Sequence, residues 1–159
     1  MTPRTQNVLS IGALVAALVI TAFPAKAQAM NLKATGEFDV KVTPVADDKA
    51  EGGSLGRMSL DKQFRGDLTG SSKGEMLTAM TATKGSAGYV AVERFSGTLA
   101  GKSGSFMLQH TGTMTRGAPH LTVTVVPDSG TGQLAGIEGR MAIRIAEGKH
   151  FYDFDYALK

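Results

Sequence analysis

GSAGYVAVERFSGTLAGKSGSFMLQHTGTM, residues 85–114, is the stretch that decides the fold class. In its first half Tyr89, Ala91, Glu93 and Phe95 alternate with Val90, Val92, Arg94 and Ser96. In its second half Phe106, Leu108 and His110 alternate with Met107, Gln109 and Thr111. A period of two belongs to a β-strand, whose successive side chains point to opposite faces. Between the halves, Ala100-Gly101-Lys102 puts a glycine where a tight turn needs positive φ. The stretch predicts a hairpin of two strands, Tyr89–Leu99 and Phe106–Thr113.

The same period runs outward in both directions. Phe38, Val40 and Val42 alternate with charged residues, Met58 and Leu60 with Ser59 and Asp61, and Met76, Thr78 and Met80 form a third run. Leu121, Val123 and Val125 follow the hairpin, then Met141, Ile143 and Ile145, then Tyr152, Phe154 and Tyr156. That makes eight strands, and no helical periodicity appears beyond the N-terminal segment. Ala46–Gly53 reads as a long, mobile, charged loop. Arg65-Gly66-Asp67 and Glu147-Gly148-Lys149 read as tight turns, and Arg116-Gly117-Ala118-Pro119 as a break. Gly97, Gly104, Gly112, Gly136 and Gly139 suggest bulges and sharp curvature. Eight antiparallel strands with short links would leave two open edges as a flat sheet, and closure removes both. The expected fold is therefore all-β: a single closed eight-stranded antiparallel β-barrel over residues 30–159. Such a barrel is just wide enough inside for packed side chains or one small ligand.

Residues 1–29 read differently. Arg4 precedes an uncharged apolar run of 16 residues, Val8 to Phe23, and Pro24 breaks it before two overlapping small-x-small sites at Ala25–Ala27 and Ala27–Ala29. The run is short for a membrane span of roughly 20 residues. The pattern is that of a cleaved secretory signal peptide, and an exported, periplasmic or secreted product is expected, beginning at Gln28 or Met30.

Composition narrows the function classes. The chain of 159 residues has no cysteine, which excludes disulfides, thiolate zinc sites, iron–sulfur clusters and cysteine nucleophiles. Loss of the leader would leave 15 basic against 14 acidic residues. Those charges are interleaved along the strands, so the sequence pI near 9.3 does not mark a nucleic-acid binder. An exported protein also works without ATP or NADH, and no cofactor is expected.

The segments GRMSLDKQFRGDL (56–68), SSKGEML (71–77), residues 85–114 and LTVTVVPDSGTGQLAGIEG (121–139) resemble an uncharacterised bacterial family of small β-barrels. That family is grouped by fold with the allene-oxide-cyclase and dirigent barrels. The resemblance runs from Leu32 to Leu158 and implies a calycin-like barrel with an open mouth, in a group whose members are often homo-oligomers. It implies no particular activity. Residues 125–136 are similar to the glycine-rich strand–turn–strand of the cyclases and dirigents, which have two adjacent glycines where this chain has Asp128-Ser129.

Candidate site residues follow from polar groups on apolar faces. His110 shares a face with Phe106 and Leu108, so its imidazole needs a partner, either as a core histidine or as a ligand contact with proton-transfer capacity. Glu93 shares a face with Tyr89, Ala91 and Phe95, and a buried carboxylate must be paired or its pKa rises. Its partner would come from a neighbouring strand, His110 or Lys102. Centring the hairpin near residue 101 sets Glu93 opposite about residue 109, with His110 within one position. Tyr89, Glu93, Gln109 and His110 are therefore the candidate ligand-binding residues, and Glu93 and His110 the candidate catalytic pair. Lys62, on the Met58–Leu60–Phe64 face, is read as snorkelling to the rim. Asp153 and Asp155 are read as a solvated face, and no metal is expected. Gly130-Thr131-Gly132 lacks the following helix that a phosphate loop requires, and is read as a turn with a bulge. No serine sits in a G-x-S-x-G elbow.

Three functions remain. One is a barrel holding a small, mostly apolar molecule in its mouth, with methionines as deformable lining. Another is a cofactor-free isomerase or cyclase of the allene-oxide-cyclase kind. The third is a structural, envelope-associated protein with a filled barrel. A cavity of several hundred cubic ångströms separates the first two from the third, and a converging acid and base separates the second from the first. Whether the protein is an enzyme is left open by the sequence.

Overall fold

The computed structural model describes residues 31–159. The expected signal peptide, residues 1–29, lies outside the described residues. Eight strands follow in order: β1 (Leu32–Ala50), β2 (Gly53–Gly66), β3 (Leu68–Thr81), β4 (Ala87–Leu99), β5 (Lys102–Thr115), β6 (Ala118–Val125), β7 (Glu138–Ala146) and β8 (Lys149–Ala157). Each pairs antiparallel with the next, and β1 pairs with β8 to close the barrel.

Three hairpins turn on two-residue links with positive φ at both positions: Ala100 and Gly101 (47° and 80°), Arg116 and Gly117 (49° and 91°), and Glu147 and Gly148 (52° and 76°). This is the primed turn whose twist matches that of the strands it joins. The sequence reading located the glycines, while the strained residue before each one follows from the backbone geometry.

Two expectations are corrected. Ala46–Gly53 is no long loop: Ala46–Ala50 continues β1, Gly53 starts β2, and the turn is only Glu51-Gly52. Cross-strand pairing to Gly53–Arg57 extends the hairpin through this charged segment, with one register shift between Pro44 and Ala46. The in-strand glycines Gly97, Gly104, Gly112 and Gly139 sit in uninterrupted register rather than in bulges, and Gly136 lies between strands. At Gly112 and Gly104 the reason for glycine is close approach. A Cβ on Gly112 would stand 2.1 Å from the Tyr89 ring, and one on Gly104 would stand 2.2 Å from the Thr131 carbonyl oxygen.

The barrel is closed unevenly. At one end, here the base, β1 pairs with β8 from Leu32 to Phe38 only. β6 meets β7 through the single pair Thr124 and Arg140. Beyond these points β1 to β6 run on past the shorter β7–β8 hairpin and form a flared mouth. The base is filled. The Phe38, Phe64, Phe95, Phe106, Phe154 and Tyr156 rings form a chain with centroids 5.1–5.7 Å apart, and Tyr152 packs on Phe64 at 5.8 Å. Burying each such ring stabilises the fold by about 1.5–3 kcal/mol. Tyr152 accepts a hydrogen bond from the Leu68 amide at 2.7 Å, so its hydroxyl is satisfied within the core.

The β6–β7 connection seals the base. It carries a single 3₁₀ turn, Gly132–Leu134, and buries Leu134 and Ile137 against the core. Ser129 Oγ, Thr131 Oγ1 and Gln133 Oε1 accept hydrogen bonds from the amides of Met107, Ser105 and Ser103, at 3.0, 3.1 and 2.9 Å. This alternating series satisfies the edge of β5 that β6 leaves unpaired. It is the structural role of the Gly130-Thr131-Gly132 segment, in place of the turn with a bulge read from the sequence.

Candidate functional site

The inward residues of β2 to β5 change character one step above the aromatic layer. On β2 the series runs Phe64, Lys62, Leu60, Met58; on β4 it runs Phe95, Glu93, Ala91, Tyr89; on β5 it runs Phe106, Leu108, His110, Gly112. The register sets Lys62 opposite Ser72 of β3, Glu93 opposite Gly74 and Leu108, and His110 opposite Ala91. Four adjacent strands thus each deliver one polar side chain to one place. Relative exposures are 5% for Lys62, 1% for Ser72, 1% for Glu93 and 3% for His110. Gly74 leaves the space that Glu93 occupies, since a Cβ there would lie 2.6 Å from the Glu93 Cα and Cβ.

Glu93 is the hub. Its Oε1 accepts from Lys62 Nζ at 2.7 Å and from His110 Nε2 at 2.8 Å, and its Oε2 accepts from Ser72 Oγ at 2.6 Å. Burial pushes the Glu93 carboxyl up, but the His110 hydrogen bond and the Lys62 charge outweigh it and hold the group at about 2. Lys62 Nζ also lies 4.9 Å from the centre of the Phe38 ring, whose other neighbour is the stacked His150 at 5.1 Å. Among the described residues no enclosed side-chain nitrogen or oxygen lacks a hydrogen-bond partner. A satisfied buried network of this kind is rigid, whereas a half-satisfied one is costly.

The network fixes the imidazole. A carboxylate only accepts, so the proton on His110 that meets Glu93 is on Nε2. Nδ1 has no hydrogen-bond partner among the described residues. Since no enclosed nitrogen is left unpaired there, Nδ1 keeps its narrow access to the mouth. With the imidazole neutral, the cluster holds one cation and one anion.

Above this floor the wall is apolar and open. Val42, Met80, Met114, Leu121 and Ile145 continue the inward rows of their strands yet are largely exposed, from 37% at Leu121 to 66% at Ile145. Met58 and Met76 are half-buried below them. Tyr89, also half-buried, lies across Gly112, and burial together with the Glu93 charge raises its hydroxyl pKa. Elsewhere, hollows of about 500 and 480 Å³ lie on the outer wall, beside Lys73 and Arg94 and beside Lys33 and Arg140.

Of the residues singled out from the sequence, Glu93 and His110 are in contact, and Tyr89 stands above them. The actual register sets Glu93 opposite Leu108, one position from the estimate. Gln109 lies apart, exposed on the outer face. Lys102, the other partner considered for Glu93, is exposed at the base. Lys62 is the correction: it does not snorkel to the rim but turns inward and pairs with Glu93. Its position on an apolar face was a visible signal, but the anion that holds it lies 31 residues away. Ser72 was not anticipated, although its spacing of two from Gly74 and of four from Met76 places it on the inner face. Asp153 and Asp155 are exposed, as read.

The profile of a family described as a protein of unknown function (DUF3224) matches residues 34–156. Among solved structures, the crystal structure of a protein with unknown function from the DUF3224 family of Shewanella oneidensis MR-1 is 53% identical, with a TM-score of 0.78. The match covers 82% of this chain and 98% of that one. No curated protein matches the chain. A match through nearly the whole barrel, from β1 into β8, supports one conclusion: the chain belongs to the DUF3224 family of proteins of unknown function.

Proposed function

We propose that the protein is an exported barrel that holds a small, mostly apolar molecule in its open mouth, above the Lys62–Ser72–Glu93–His110 floor. The observation that supports this reading is the contrast between the two ends. The base is packed solid with aromatic rings, while the mouth leaves large apolar side chains uncovered above a polar floor. Apolar walls with a few placed polar groups are the usual make-up of a small-molecule site. Export rests on the leader-like pattern of residues 1–29.

An isomerase or cyclase would draw on the same pair, Glu93 and His110. The geometry favours binding over that reading, because both Glu93 oxygens are engaged within the protein. A carboxylate so held is a fixed counter-charge rather than a mobile base. A wholly filled structural barrel fits the base but not the uncovered mouth.

The chain contains no tryptophan, so one introduced indole is a clean reporter. Met76→Trp places it in the mouth and Leu77→Trp on the outer wall. Titration with the neutral dye N-phenyl-1-naphthylamine should give saturable energy transfer from position 76 and not from position 77. Equal transfer from both, or none from either, would overturn the binding reading.

A further inference from the structure

We infer that the molecule held in the mouth is recognised through a hydroxyl group, a hydrogen-bond donor that the Nδ1 atom of His110 accepts. This rests on the binding reading above and adds the chemical class of the ligand's polar end. Three observations carry it. The first is the orientation of the imidazole: its Nε2 is tied to Glu93 Oε1 at 2.8 Å, which leaves Nδ1 as the free lone pair. The second is exhaustion of the remaining polar groups. Glu93 accepts on both oxygens, Lys62 and Ser72 donate to it, and no enclosed polar side-chain atom among the described residues is left over. Nδ1 is therefore the one position in the cluster with a bond to offer a guest, and what it offers is an acceptor.

The third observation is charge. With the imidazole neutral, Lys62 and Glu93 balance one another, and a neutral donor preserves that balance. A carboxylate guest would meet a lone pair at Nδ1 and would need a proton taken up before it could be held there. A ketone or ether brings only acceptors and would leave Nδ1 unpaired once water is displaced, which is the costly outcome for a desolvated polar group. The apolar body of the guest would meet Met58, Met76 and the Tyr89 ring, whose side chains are half-buried on the same inward rows.

The glutamate is thus a positioning residue. It selects the imidazole tautomer, and Lys62 and Ser72 hold the glutamate in place. This is the reason the cluster needs four members to present one atom.

The test uses the Met76→Trp protein and its dye signal. The matched pair 2-naphthol and 2-methoxynaphthalene, which differ in the hydroxyl proton, compete for the dye. Naphthol should displace it about fivefold more tightly than the ether, the worth of one hydrogen bond. The preference should vanish in a Met76→Trp, His110→Phe double variant. In the single-reporter protein ¹⁵N NMR should show His110 protonated at Nε2 and bare at Nδ1, a readout that does not depend on the double variant folding. Equal competition by the two naphthalenes while the dye still binds would overturn the hydroxyl assignment and leave the binding reading standing. A proton on Nδ1 with Nε2 bare would also overturn it. Failure of the dye itself to bind would remove the binding reading and this inference with it.

Discussion

Replacing Glu93 with glutamine removes a charge from the centre of the fold and changes almost nothing else. The amide keeps the shape of the carboxyl and can still meet Ser72 and His110. What it cannot do is balance Lys62, whose ammonium is 2.7 Å from the carboxylate and whose side chain is almost fully enclosed. Removing one partner of a buried pair costs about 3–5 kcal/mol, because the other charge stays buried and uncompensated. The titration of Glu93 gives an independent figure. Its carboxyl is held at about 2 instead of the ordinary 4.5, and that gap corresponds to about 3 kcal/mol. The sign follows from linkage. A carboxyl with a depressed folded pKa adds stability that is fully present above 4.5 and is lost as pH falls towards 2. Urea unfolding at neutral pH should therefore show the Glu93→Gln midpoint lowered by about 2 M, for a slope of about 2 kcal/mol/M. The same variant should lose the part of the acid sensitivity between pH 4.5 and 2 that the native protein owes to this group. Lys62→Met alone should also destabilise, by stranding the carboxylate beside His110 and Ser72. Combined with Glu93→Gln it leaves no buried charge in the pair, so the double variant should cost at least about 2 kcal/mol less than the sum of the single ones. Single costs below about 1 kcal/mol, or costs that add within about 0.5 kcal/mol, would refute the view that the cluster is held by a buried ion pair.

Other expectations bear on the turns, the wall and the leader. Gly101→Ala and Gly148→Ala, at φ 80° and 76° with open space around each, should cost about 1 kcal/mol from backbone strain alone; urea midpoints equal to the parent's would show that strain is absent. Ala100→Gly should do the reverse and stabilise by a few tenths to about 1 kcal/mol, since Ala100 holds φ 47°, and a lowered thermal midpoint would contradict it. Gly112→Ala should be far worse than either turn variant, because its Cβ would lie 2.1 Å from the Tyr89 ring; truncating that ring in Gly112→Ala/Tyr89→Ala should restore part of the loss, and no restoration would place the clash elsewhere. N-terminal sequencing of the exported form should begin at Gln28 or Met30, and a form that retains Met1 or Thr2 would remove the proposed leader.

Alternation along the chain is a local property, and it was enough to give eight strands, their hairpin order and the inward face of each. It also brought Glu93 and His110 together. They are 17 residues apart across a single tight turn, and the turn fixes register to within a position. The inward rows of Phe64, Phe95, Phe106 and Phe154 were legible for the same reason. Lys62 was misread because its partner is two strands away, and no local rule says which buried anion a lysine will find across an intervening strand. Ser72 carried no signal at all, since a serine on an inner face acquires meaning only when a carboxylate oxygen arrives opposite it. The run Ser129, Thr131, Gln133 looked like a turn because side chains that stand in for a missing strand leave no periodic trace of the edge they satisfy. The lengths of the strands past Phe38 and Thr124, and with them the flared mouth, depend on which neighbours remain to pair with. Sequence determines the pairing of adjacent strands because the loops between them are short and the entropy of closing them is small. Whatever depends on contacts between strands that are not neighbours in sequence is decided only when the barrel closes.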